Sequence, residues 1–105
     1  MSYNIVWSNF AESELDKIFE YYIENASRKV AEKILQNILA EPNRLIENSE
    51  MFQYEELLID RNDNYRYIVC GNYKIIYSVD IEEQLIKIAD VFDTRQNPIK
   101  IKRNK

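Results

Sequence analysis

The chain reads as an α+β domain of order β-α-α-β-β-β. Its two helices form a hairpin packed on one face of a twisted, mainly antiparallel four-stranded sheet. Three observations predict this class. Two runs rich in aromatic and β-branched residues, Tyr65–Cys70 and Tyr73–Val79, are separated by only Gly71 and Asn72, which tolerate the positive φ that a tight hairpin turn requires. A further run of strand character, Leu85–Phe92, follows closely. Before them, apolar side chains recur at helical rather than alternating intervals through two segments. Helices with a single apolar stripe must bury it against one face of a sheet, which leaves the opposite face free.

The elements follow in chain order. Tyr3–Trp7 alternates as a short strand. Ser8 and Asn9 both offer helix caps, and Asn9 with Glu12 has capping-box spacing. Ala11, Leu15, Ile18, Phe19 and Tyr22 then form a stripe through about residue 25. Ser27 caps a second helix with inward positions Val30, Ala31, Ile34, Leu35, Ile38 and Leu39. Pro42 ends or kinks it, and Asn43–Asn48 adds room for one short turn. The brief link Glu24–Ser27 makes the helices an antiparallel hairpin. Residues 49–63 are mixed and acidic, with Leu57, Leu58 and Ile59 as their apolar cluster, and are expected as a loop.

A two-residue turn fixes the hairpin register. Cys70 should pair with Tyr73, Val69 with Lys74, Ile68 with Ile75, Tyr67 with Ile76, and Arg66 with Tyr77. Alternation then sorts the side chains. Arg66, Ile68, Cys70, Tyr73, Ile75 and Tyr77 share the face expected beneath the helices. Tyr65, Tyr67, Val69, Lys74, Ile76 and Ser78 share the other, which reads either as a working surface or as a core with a snorkelling lysine. A buried arginine requires a partner, so Arg66 is expected to be structural, with Asp90 or Asp93 as candidates.

Composition sets the bounds. The chain has 105 residues, 46% of them hydrophobic. That is enough for one core and too little for a second domain, so residues 1–105 form a single unit. There is one cysteine and no histidine, which excludes internal disulfides, histidine acid–base chemistry and histidine metal sites. No metal and no cofactor are expected. The N-terminal residues lack a signal-peptide pattern and no run approaches membrane-spanning length, so a soluble cytoplasmic protein with no membrane partner is expected.

Charge is unevenly distributed. Residues 1–63 hold six basic and thirteen acidic side chains, a net of −7, whereas residues 64–105 hold eight and five, a net of +3. The overall balance of −4 argues against broad nucleic-acid binding. The basic tail over 96–105, with Lys100 and Lys102, reads either as a frayed solubilising end or as a phosphate contact. On the first helix Glu12, Asp16, Glu20 and Glu24 repeat at i, i+4, a spacing that costs about 0.2–0.5 kcal/mol per like-charged pair. A solvated face is the ordinary explanation. Glu55–Glu56 and Glu82–Glu83 are sequence neighbours that point apart if extended and make weak metal or glycosidase candidates.

The hairpin YRYIVC-GN-YKIIYSV, the strand LIKIADVF and the closing DTRQNP together resemble the RelE/ParE superfamily of bacterial toxins, in its ParE-like, plasmid-stabilisation branch. The resemblance covers roughly residues 3–100, with its specific part at Glu56–Pro98. It implies the toxin of a type II toxin–antitoxin pair, neutralised by a cognate antitoxin. Glu12, Asp16 and Glu20 then become a docking stripe for basic antitoxin residues.

Two activities separate within that superfamily. RelE-like members cleave mRNA on the ribosome, and ParE-like members inhibit growth by binding DNA gyrase. Carried over by position, the superfamily's arginine on the second hairpin strand falls on Lys74, and the arginine after the last strand falls on Arg95. The two lysines of RelE's first hairpin strand fall on Tyr65 and Tyr67, and its C-terminal tyrosine falls near Ile101. Cleavage needs a base, an acid and several cations around one phosphate, whereas an ordinary tyrosine with a pKa of about 10 is a poor base. The resemblance therefore favours gyrase-type inhibition, with Lys74, Arg95, Lys100 and Lys102 as target contacts. The alternative is an mRNA endoribonuclease whose catalytic candidates are Lys74, Arg95, Tyr65 and Tyr67. An inactive relic that only binds antitoxin is the third reading.

Overall fold

A computed structural model describes residues 3–46 and 65–95. The loop expected over 49–63 and the tail 96–105 lie outside these residues. The elements are β1 (Asn4–Trp7), α1 (Asn9–Asn25), α2 (Arg28–Ala40), β2 (Arg66–Cys70), β3 (Tyr73–Asp80) and β4 (Leu85–Asp93), with a short 3-10 turn, Glu41–Leu45, after α2. The strands lie in the order β1-β4-β3-β2. β1 runs parallel to β4, and both other pairings are antiparallel.

The helix boundaries follow from side-chain chemistry. Ser8 caps α1, its hydroxyl accepting from the Ala11 amide at 3.0 Å, and Ser27 caps α2 by accepting from Val30 at 3.1 Å. Asn9 is the first helical residue rather than a cap, so the Asn9–Glu12 box is not used. Pro42 lies in the 3-10 turn, where its missing N–H and fixed φ end the regular helix.

The main core lies between the helices and the sheet. Ala11 and Leu15 of α1, Ile38 of α2 and Leu45 meet Ile68, Ile75, Tyr77, Ile86, Ile88 and Val91. The inner stripe of α2 is narrower than expected. Ala31 and Ile38 are buried, whereas Val30 and Leu39 are 41% and 44% exposed. At 100° per residue both fall about 90° from the centre of the Ala31–Ile34–Leu35–Ile38 stripe, too far round to reach the sheet.

The hairpin has the register expected from its two-residue turn, from Arg66–Tyr77 through Cys70–Tyr73, and Gly71 has a φ of +59°. The opposite sheet face is not free. Ile76 and Phe92 are buried there, with Tyr65 and Tyr67 packed against them.

β4 contains the feature that shapes the site. Ile76 pairs with Asp90, but its neighbour Tyr77 pairs with Ile88, leaving Ala89 as an extra residue. Strict alternation would put Ile86, Ile88, Asp90 and Phe92 on one face. The bulge reverses the phase. Ile86, Ile88 and Val91 all join the helix-side core, while Phe92 joins the opposite cluster. Asp93, opposite Tyr73, consequently arrives on the helix side.

Candidate functional site

α1 lies across the end of β4 and leaves a cleft of about 350 Å³ beside it. Ile18, Val91 and Tyr73 supply its apolar surface, Tyr21 stands at the rim, and Glu14, Lys17, Asp93 and Arg95 supply the charge. Glu14 comes from the α1 face that also buries Ala11 and Leu15. Its carboxylate accepts from Lys17 Nζ at 3.1 Å, one turn along the helix. Asp93 accepts from Arg95 three times, from Nε at 2.9 Å, Nη2 at 2.8 Å and the backbone amide at 2.9 Å.

Both ion pairs have the same layering. The carboxylates are the more enclosed partners, with side chains 12% exposed for Glu14 and 21% for Asp93, against 74% for Lys17 and 52% for Arg95. Two further contacts pin this end of the fold. The Tyr73 hydroxyl donates to that of Tyr22 at 3.3 Å. Thr94 donates to the Asn72 carbonyl through both its amide and its hydroxyl, each at 2.8 Å.

The electrostatic consequences all run one way. Hydrogen bonds from Arg95 hold the Asp93 carboxyl below its ordinary range, and Asp93 with the nearby Tyr22 hydroxyl holds the Arg95 proton more tightly still. Burial, reinforced by Tyr22, pushes the Tyr73 hydroxyl up. Burial raises Tyr77 to about 12, against a smaller opposing pull from Arg66. Burial and the charge of Glu41 raise the Cys70 thiol. Each of these shifts carries its group away from neutrality, the opposite of what a general acid or base needs.

The expected site residues divide between two faces. Lys74 lies on the Ile76–Phe92 side with its Nζ 4.3 Å from the centre of the Tyr67 ring, a cation–π contact. Tyr65 and Tyr67 are half-buried in the same cluster. Arg95 lines the cleft on the helix side, so Lys74 and Arg95 stand on opposite faces of the sheet although their strands are neighbours. Glu12, Asp16 and Glu20 are exposed on α1. Lys100 and Lys102 lie outside the described residues.

Of the two aspartates expected near Arg66, Asp93 is bound by another arginine, Arg95, and Asp90 pairs with Ile76. Sequence reasoning missed Glu14, Lys17, Tyr22, Tyr73 and Asp93 as site members. An aspartate two residues before an arginine at a strand end was a usable signal, because Asp readily turns back on the following backbone. The phase of Asp93 depended on a bulge with no marker of its own.

Comparison with known proteins decides the family. Residues 5–98 match the family described as the ParE toxin of the type II toxin–antitoxin system, parDE. The chain belongs to the ParE toxin family. Membership makes this a toxin-family protein of a two-component system, in which a cognate antitoxin is the expected partner. The fold agrees. A solved structure described as the chromosomal ParDE TA system from P. aeruginosa superposes with a TM-score of 0.71 at 16% identity, over 87% of this chain and 95% of that one. No curated protein matches the chain in sequence. Among the described residues, no helix of this ParE-family chain is long and apolar enough to cross a membrane.

Proposed function

We propose that this ParE-family chain arrests growth by binding a cellular target, with DNA gyrase the leading candidate, and that a cognate antitoxin neutralises it by covering the binding surfaces. The observation that carries this reading is the match of residues 5–98 to the ParE toxin family, and the direction of the resolved pKa shifts agrees with it. Tyr73, Tyr77, Cys70, Asp93 and Arg95 are all displaced away from neutrality, and the chain has no histidine. Cleavage of RNA through its 2′-hydroxyl requires a group that exchanges a proton near neutral pH. The separation of Lys74 from Arg95 also favours binding, because the two cations do not converge on one phosphate. Lys74, Arg95, Lys100 and Lys102 are assigned to target contacts, and Glu12, Asp16 and Glu20 on α1 to the antitoxin.

The test is induced expression without antitoxin, following growth, bulk mRNA integrity and plasmid supercoiling in the same cells. Arrest with intact mRNA and altered supercoiling is the expected result. Rapid mRNA cleavage would replace this reading with the endoribonuclease one. Normal growth with retained antitoxin binding would make the chain an inactive relic.

A further inference from the structure

The geometry points to the α1–β4 cleft as a receptor for an acidic peptide segment of a partner protein, in which a carboxylate side chain sits next to an apolar one. This deepens the binding reading above by specifying what the helix-side surface accepts.

The layering of the two ion pairs supplies the argument. Asp93 and Glu14 lie deeper, bonded to Arg95 and Lys17 respectively, while Arg95 and Lys17 stand outermost. An approaching group therefore meets two positive charges first. Arg95 directs two guanidinium N–H groups at Asp93 through Nε and Nη2. A guanidinium carries five N–H donors, so it retains donors for a second acceptor even with the Tyr22 hydroxyl close by. Lys17 directs a single bond at Glu14 and has further donors of its own. Clamping by Asp93 fixes the guanidinium before any ligand arrives, which lowers the ordering cost of binding.

The apolar part of the ligand follows from the rest of the lining. Ile18, Val91 and the Tyr73 ring contribute the apolar part of the lining, and a volume of about 350 Å³ is at the small end of ligand clefts, suited to a pair of side chains. The surroundings sharpen the preference. With a net charge of −4 and an exposed acidic stripe on α1, most of the neighbouring surface repels an acidic segment, so the cleft mouth selects where it docks.

Two blocked dipeptides test this, acetyl-Leu-Glu-N-methylamide and its Leu-Gln counterpart, titrated into the full-length isotopically labelled protein and followed by NMR. The Glu peptide should shift the Arg95 Nε–H resonance together with the Ile18 and Val91 methyls. It should bind about five-fold more tightly than the Gln peptide, as exchange of a neutral for a charge-assisted hydrogen bond implies. Arg95→Gln should abolish that preference, and Lys17→Gln, on an exposed helix position, should reduce it. Equal binding of the two peptides, shifts centred elsewhere, or a preference that survives Arg95→Gln would overturn the inference. Neither peptide involves gyrase or antitoxin, so the result is independent of the growth assay.

Discussion

Asp93 grips the guanidinium of Arg95 from two residues away, accepting from Nε at 2.9 Å and from Nη2 at 2.8 Å through its two carboxylate oxygens. The face on which this pair lies depends on the bulge at Ala89. Without that extra residue β4 would carry Asp93 to the opposite face, away from Tyr73, Tyr22 and α1. An irregularity near the middle of the strand thus determines the face on which the arginine that follows it is presented. The same clamp orders Arg95 and neutralises it from beneath, leaving its outer side available to a partner.

That clamp makes a small part of stability depend on acid. Arg95 lowers the Asp93 pKa in the folded state. The contribution is therefore complete above the unfolded value, near 4, and is lost as pH falls through the lower folded value. Since Arg95 is half-exposed, screening limits it to about 0.5 kcal/mol. Urea denaturation of wild type and Asp93→Asn should differ by about that much near pH 7 and converge as pH falls below the depressed folded value of Asp93. A constant gap across this range would exclude the clamp as its source.

Ser8 connects the helix start to the bulge. Its hydroxyl accepts from Ala11 and donates to the Ala89 carbonyl at 3.2 Å, and its amide bonds to Ile88 at 2.9 Å. Ser8→Ala should cost about 1–2 kcal/mol, toward the upper end for a cap because a second bond is lost with it. Ser27 caps α2 without a comparable long-range bond, so Ser27→Ala should cost less, about 0.5–1 kcal/mol. Equal losses in chemical denaturation would mean that the Ala89 contact contributes nothing.

These residues also mark how far the sequence was legible. The turn at Gly71-Asn72 set every pair of the hairpin, because two residues leave one register. The caps at Ser8 and Ser27 and the stop at Pro42 are local chemistry and could be read locally. The bulge could not, since Ile88-Ala89-Asp90 contains no glycine or proline to announce it. Burial of Glu14 was equally hidden, because the i, i+4 run of Glu12, Asp16 and Glu20 drew attention to the neighbouring solvated face. The opposite side of the sheet stayed open between a working surface and a small core, because Ile76 and Phe92 meet only through β3–β4 pairing, which hairpin periodicity alone does not reveal.

Alkaline pH should unfold the chain through its buried tyrosines. The Tyr77 hydroxyl is raised to about 12, above an unfolded value near 10, and Tyr73 is raised as well. The unfolded chain therefore loses these protons first. Stability is full below pH 10 and falls as pH rises toward the folded values, by about 1.4 kcal/mol per pH unit for each tyrosine. Replacing Tyr77 by Phe should reduce the steepness by about half between pH 10 and 11.5. An unchanged slope would show that Tyr77 does not titrate in this range.

Two turn positions with positive φ should respond with opposite signs. Gly71 has a φ of +59° and no atom within 4 Å of a would-be Cβ. Gly71→Ala should cost only the backbone term, about 1 kcal/mol, and Gly71→Val more because of its β-branch. Gln84 holds a φ of 55° in the β3–β4 turn, so Gln84→Gly relieves strain there and should gain up to about 0.5–1 kcal/mol. Thermal melts of the variants check both signs, and an unaltered melting temperature for Gly71→Val would remove the argument about the turn.

Lys74 and Arg95 provide a test of how partners engage the two faces. Lys74 lies against Tyr67 on one side of the sheet and Arg95 is clamped to Asp93 on the other, so one phosphate or carboxylate does not bridge them. In antitoxin binding, Lys74→Gln and Arg95→Gln should have effects that add, with a coupling energy below about 0.5 kcal/mol. A partner that wraps the domain loses affinity with either substitution, whereas a partner confined to one face responds to only one. Isothermal titration of both single variants and the double variant separates these cases. Coupling above about 1 kcal/mol would mean that the two cations meet a common group, returning them to one surface and reviving the phosphate-centred, nucleolytic reading.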